Sequence, residues 1–423
     1  MRVSAHLDLD LIPLDTQDQV TVLLEITAPR AATTTRPPAT LQIVLDRSGS
    51  MAGDRLDGAK QALLALVDRL DPTDNFGVVT FESSARVEVA AGPLADKRAV
   101  RRAIAAIGPA GSTDLSSGLL RGVQETRRAS ADRGATLLLI SDGHANAGIV
   151  DHDLLGEIAG NAYGNGVVTT TLGYGLGYDE HLLATVADRG TGSALFAEDP
   201  DTATRLIAAE ADNLLAKVAQ AASMTIHPRE PVREVHIFGH LPSNRLADGS
   251  LMVDLGDFHA GETRRLLLRF AVPGMPSLGP VSVAELSFTH VEIPSLTTHT
   301  VTVQVVVDVV PGDRAADRIA APEVRTELAF QQAQEARRAA DDALRRGETE
   351  EAAEILRAAG DVLEAHLPSA VPSMVKDLAE EVNDLRDLAE RARWDDVRRT
   401  SKGNMERWHR STRKRRRHED DAG

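Results

Sequence analysis

"LQIVLDRSGSMAGDRL" (Leu41 to Leu56) decides how the rest of the chain is read. An apolar run broken only by Gln42 ends in Asp46, and Ser48 and Ser50 follow on alternate residues with Gly49 between them. A strand-to-helix turn needs one capping oxygen, whereas this turn offers three. The stretch after it, "RLDGAKQALLALVDRL", places Leu56, Ala59, Leu63, Leu66, Val67 and Leu70 at helical spacing. A buried strand, an oxygen-rich turn and an amphipathic helix are one unit of an α/β fold.

The same alternation continues to residue 220. "FGVVTFES", "TLLLISDG", "VVTTTLGYG" and "SALFAED" read as strands; "DKRAVRRAIAAI", "TDLSSGLLRGVQETRRAS", "HDLLGEIAGNAYGNG" and "DEHLLATVAD" read as helices. Runs such as Leu137 to Ile140 lack polar alternation, as strands covered on both faces do. The expected fold over residues 38–220 is therefore a doubly wound α/β domain with a parallel sheet. Residues 221–310 change to strand-like runs separated by turns, the pattern of an antiparallel β-sandwich. Residues 1–30 share that character, so the α/β domain is expected to be inserted between two pieces of one sandwich. The segment "APRAATTTRPPAT" reads as the linker between them. Residues 320–397 read as a helical hairpin or bundle with small residues facing one another, and residues 398–423 as a basic, then acidic, flexible tail.

Composition narrows the function. The chain has 423 residues, 42% of them hydrophobic and 26% charged, which is the balance of a folded protein. A net charge of -16 argues against a nucleic-acid-binding body, since phosphate binding needs a basic face. There are no cysteines, which excludes disulfides, zinc–thiolate sites and a cysteine nucleophile. Asp8, Asp10 and Asp15 stand where a signal peptide would need an apolar core, and no stretch approaches the length of a membrane span. The expectation is a cytoplasmic protein with no membrane span.

In an open parallel sheet, ligands bind where loops converge beyond the carboxyl ends of the strands. Three such loops are rich in oxygen: Asp46 to Ser50, "GSTDL" (Gly111 to Leu115) and "SDG" (Ser141 to Gly143). Asp46, Ser48, Ser50, Thr113 and Asp142 together offer two carboxylates and three hydroxyls. Such oxygens suit a hard divalent cation: Mg2+, with Mn2+ or Ca2+ as substitutes. Taken singly, Ser50 and Thr113 could be helix caps, and Asp46 and Asp142 turn residues. Taken together in three separate loops, they favour a metal site.

This set resembles the von Willebrand factor type A domain and its metal-ion-dependent adhesion site. The Asp-x-Ser-x-Ser motif stands as Asp46, Ser48 and Ser50, and the distant threonine and aspartate match Thr113 and Asp142. With β segments on both sides, the layout resembles bacterial relatives of inter-alpha-trypsin inhibitor heavy chains. The resemblance implies that Ser48, Ser50 and Thr113 coordinate the ion and that Asp46 and Asp142 act mainly through water. It also implies that a partner protein's Glu or Asp completes the octahedron. A non-enzymatic protein-binding module is the function expected on these grounds. Two alternatives carry different requirements. A non-catalytic subunit of an ATPase-linked complex would need a separate ATPase, because this chain has no P-loop. A Mg2+-dependent phosphatase would present a second acid two residues after its nucleophile, where this chain has Ser48. The sequence leaves the oligomeric state and the identity of the partner open.

Overall fold

The computed structural model describes residues 1–394 apart from 31–37, 131–133, 143–144, 176, 233, 240, 294, 317 and 319, together with residues 400–401 and 404. Residues 31–37 of the expected linker, the loop residues Gly143 and His144, and most of the tail lie outside the described residues.

The chain opens with strands β1 (Arg2–Leu7), β2 (Leu11–Pro13) and β3 (Asp18–Thr27). An α/β unit follows: β4 (Thr40–Asp46), α1 (Asp54–Arg69), β5 (Asn75–Phe81), β6 (Ala85–Pro93), α2 (Lys97–Ala105) and α3 (Leu115–Ser130). It continues through β7 (Ala135–Ser141), α4 (His152–Tyr163), β8 (Val167–Tyr174), α5 (Glu180–Arg189), β9 (Thr191–Ala197) and α6 (Pro200–Leu215). These strands form one six-stranded sheet in the order β6-β5-β4-β7-β8-β9, parallel throughout except for the antiparallel edge strand β6. The antiparallel edge strand β6 is an addition to the doubly wound parallel sheet read from the sequence. Every residue of β4 and of β7 is buried. Alternate residues of these strands feed two separate cores. Ile43, Leu45, Leu138 and Ile140 pack against α1 and α6, while Val44, Leu137 and Leu139 pack on the opposite side with α3, α4 and α5. Apolar contact on both faces is why the strand sequences show no polar alternation. Helices α4, α5 and α6 start on the aspartate caps Asp151, Asp179 and Asp199, each accepting from a backbone N–H three residues on.

Beyond α6 the chain enters strands β10 (Lys217–Pro228), β11 (Glu234–Ile237), β12 (Ser243–Arg245), β13 (Leu251–His259), β14 (Thr263–Val272), β15 (Gly279–Glu292) and β16 (Thr298–Val310). They complete two sheets, β1-β3-β14-β11 and β12-β13-β10-β15-β16-β2. The pairs are antiparallel, save that β2 runs parallel to β16, a departure from the antiparallel expectation. Residues before and after the α/β unit thus share sheets: β3 pairs with β14 from Asp18↔Val272 to Thr27↔Thr263. Both sheets contribute to one core, with Val22, Leu24 and Ile26 of β3 meeting Met224, Leu268, Leu286 and Phe288.

Helix α7 (Gly312–Ala316) leads to α8 (Pro322–Arg345), α9 (Thr349–His366) and α10 (Pro372–Trp394). Small side chains fill the helical interface as expected: Ala329, Ala333, Ala340 and Ala343 of α8, and Ala352 and Ala353 of α9. Val324, near the start of α8, packs with Leu23, Phe238 and Leu267 on the outer face of the four-stranded sheet.

Candidate functional site

In the α/β sheet the strand order reverses between β4 and β7, because the chain winds outward from β4 in one direction and from β7 in the other. The crevice beyond the carboxyl ends of those two strands is the topological switch point. Asp46 is the last residue of β4, and Asp142 directly follows β7. The sheet topology therefore brings together two carboxylates that are 96 positions apart in sequence (142 − 46).

A network of short hydrogen bonds joins four of the five expected residues. Asp46 Oδ1 accepts from the Ser48 backbone N–H at 2.8 Å, and its Oδ2 accepts from Ser141 Oγ at 2.6 Å. The Ser48 and Ser50 hydroxyl oxygens lie 3.1 Å apart, and Ser50 Oγ donates to Asp142 Oδ1 at 2.8 Å. Asp46, Ser48 and Asp142 are buried, and Ser50 is exposed at the mouth. Burial pushes the Asp46 carboxyl pKa up, as does Asp142, against the opposing hydrogen bonds from Ser141 and Ser48. An added cation would relieve the repulsion between the two carboxylates.

Thr113 is placed differently. It is buried, and its loop touches the first one where Gly49 N–H donates to Gly111 O at 3.3 Å. Asn146 holds the Thr113 backbone on both sides: Asn146 Oδ1 accepts from Thr113 N at 2.9 Å, and Thr113 O accepts from Asn146 N at 3.1 Å. No hydrogen bond joins the Thr113 hydroxyl to the other four residues among the described residues. Gly111 has φ +65°, a left-handed backbone conformation that favours glycine, and a Cβ there would fall 1.9 Å from Glu82 Oε2 in the turn after β5.

The capping alternative fails on geometry. Asp114, not Thr113, caps α3: its Oδ1 accepts from Ser117 N at 2.9 Å. Ser50 sits inside the short 3-10 turn Gly49–Met51 and directs its hydroxyl to Ser48 and Asp142 rather than to a backbone N–H. Ser48 flanks the same turn with no side-chain capping bond.

Sequence reasoning missed three contributors. Ser141 was part of the quoted "SDG" loop, but its hydroxyl was not counted. Asn146 organises Thr113 from 33 residues away. Arg55, read only as part of the α1 pattern, directs Nη1 onto Asp142 Oδ2. Among the described residues no group of three or more His, Cys, Asp or Glu could hold a metal ion.

The doubly wound sheet has a hydroxyl- and carboxylate-lined crevice at its switch point, the place where open α/β folds bind ligands. More specifically, residues 41–209 match the family model of the von Willebrand factor type A domain, and the chain contains such a domain. An uncharacterized protein of Synechocystis sp. is 32% identical over 169 residues, covering 40% of this chain and 40% of that protein. Inter-alpha-trypsin inhibitor heavy chain H1 of Sus scrofa is 30% identical over 173 residues, covering 38% of this chain and 19% of that protein. The chain spans less than half the length of these curated relatives. At the level of the whole fold, a structure described as von Willebrand factor type A from Catenulispora acidiphila superposes with a TM-score of 0.72 at 16% identity. That match covers 98% of this chain and 97% of the other. Among the described residues, no helix is long and apolar enough to cross a membrane.

Proposed function

We propose that this protein is a non-enzymatic binding module that holds a divalent cation at the crevice and, through it, captures an acidic side chain of a partner protein. Ser48, Ser50 and Thr113 would supply hydroxyl ligands, with Asp46 and Asp142 acting behind them, mainly through water. The observation carrying this reading is the spacing of oxygens that serve no cap. An octahedral ion with oxygens at about 2.0–2.1 Å has neighbouring ligand oxygens about 2.9 Å apart. The Ser48 and Ser50 hydroxyl oxygens are 3.1 Å apart, and Asp142 Oδ1 lies 2.8 Å from Ser50 Oγ, in place to act from behind the hydroxyls.

Charge supports the second half of the reading. Two carboxylates balance a doubly charged ion, and Arg55 adds a further positive charge at Asp142. The loaded site would carry net positive charge and so favour an anionic ligand from outside. The type A family, which often mediates protein–protein interaction, fits that role. Mg2+ is the cation best suited to a site that keeps several waters, with Mn2+ or Ca2+ as substitutes.

Thermal melts with and without Mg2+ test the metal. In wild type the α/β unit should be stabilised by about 2.7 kcal/mol at a hundredfold excess over the dissociation constant. Asp46→Ala should gain nothing, and Thr113→Ala less than wild type. Equal Mg2+ shifts in wild type and Asp46→Ala would place the cation elsewhere. The partner half is tested by retention from a native lysate, which should vanish both with a chelator and in Asp46→Ala.

A further inference from the structure

The two oxygens of the Asp142 carboxylate face different partners. Oδ1 accepts from Ser50, within the hydroxyl cluster, whereas Oδ2 is held by the Arg55 guanidinium. The same Nη1 lies 3.4 Å from the Ser50 carbonyl oxygen. The Asp142 side chain is fully buried, while that of Arg55 is 39% exposed. Gly175, at φ +78°, lies against the same guanidinium. A Cβ there would fall 3.0 Å from Nη2, 3.2 Å from Cζ and 3.3 Å from Nε of Arg55. The planar guanidinium therefore packs against Gly175 while it holds Asp142 and reaches the turn that carries Ser50.

We propose that Arg55 is an internal cation that competes with the divalent ion for Asp142 and thereby sets the affinity of the site. This inference rests on the metal reading given above. A guanidinium is charged at every physiological pH, so it neutralises Asp142 continuously when no metal is bound. An ion entering the hydroxyl cluster must share one carboxylate with it, and two cations on one carboxylate repel. The side chain is long and half open to water, so it can swing outward while Asp142 stays in place. Apparent metal affinity is then reduced by the fraction of molecules whose arginine is still seated. Once released, Arg55 presents a positive group at the rim where the acidic partner arrives, so capture of the partner opposes reseating.

The test is calorimetric titration of the full chain with MgCl2. Arg55→Gln keeps an amide donor and removes the charge, and it should bind Mg2+ about tenfold more tightly than wild type. Arg55→Met should behave similarly, so that failure of either variant to fold leaves the other informative. Arg55→Lys, which returns the charge, should restore weak binding. Metal-free Arg55→Met should melt below wild type, because Asp142 loses its partner. Unchanged or weaker Mg2+ affinity in Arg55→Gln or Arg55→Met, with wild type still binding, overturns the role of Arg55 and leaves the metal site standing. Absence of Mg2+ binding in wild type and in every variant overturns the metal reading, and this inference with it.

Discussion

Removal of residues 1–30 is expected to unfold the β-sandwich while the α/β unit stays folded. Strand β3 is central to its sheet, bonded to β1 on one side and to β14 along ten consecutive residue pairs on the other. Val20, Val22, Leu23, Leu24 and Ile26 are all fully buried. At about 1.5–3 kcal/mol for each buried side chain, their loss removes on the order of 10 kcal/mol. A whole domain is stable by only about 5–15 kcal/mol. The deletion also leaves β14 as an exposed edge with unpaired backbone groups, which favours aggregation. By contrast, neither core of the α/β unit contains a residue of β1 or β3. Hydrogen exchange should therefore show β14 and β15 unprotected and β4 and β7 protected, with aggregates on size exclusion. A monomeric deletion variant with protected β14 amides would refute this account of the sandwich.

The joining of the two sandwich pieces was legible because residues 2–28 alternate like strands and have no partner of their own in sequence. Strands β4 and β7 were legible for the opposite reason, since complete burial leaves apolar runs without polar alternation. Strand β6 was not. Its sequence, "ARVEVAAGP", carries Arg86 and Glu88, and most of its residues are only partly buried, as befits an edge. Alanine and glycine give it little strand signal. The parallel pairing of β2 was equally hidden, because three residues ending in Pro13 say nothing about direction.

At the crevice, the proximity of Asp46, Ser48, Ser50 and Asp142 was legible because the order of strands and loops fixes where strand ends meet, whereas the Thr113 hydroxyl joins none of them among the described residues. Ser141 and Arg55 were not legible. Whether the hydroxyl of a strand's last residue turns into a crevice depends on the local pleat, and a guanidinium reaches wherever its long stem allows. The sequence pattern of α1 records which residues are apolar, not where Arg55 places its charge.

The helical region holds a second feature that small-residue spacing did not reveal: a fully buried arginine. Arg337 of α8 donates from Nε to Glu381 Oε1 of α10 at 2.7 Å, and from Nη1 to Asn404 Oδ1 at 3.2 Å. Asn404 returns a bond to the Arg337 carbonyl at 2.7 Å, and Gln334 donates to the same Glu381 oxygen at 2.8 Å. Helices α8 and α10 touch each other little directly, since α9 packs against both, and this network is a buried polar tie between them. Arg337→Met should destabilise the helical region by about 3–5 kcal/mol, because it strands a buried carboxylate without its cation. The double variant Arg337→Met/Glu381→Leu should recover most of that loss, since apolar packing can replace a buried pair at little net cost. A multidomain chain has no single unfolding free energy, so native-state hydrogen exchange across α8 and α10 is the measurement of choice. If the single variant leaves those amides as protected as in wild type, the ion pair does not hold the helices together. If the double variant is as weak as the single, the loss comes from shape rather than from an unpaired charge.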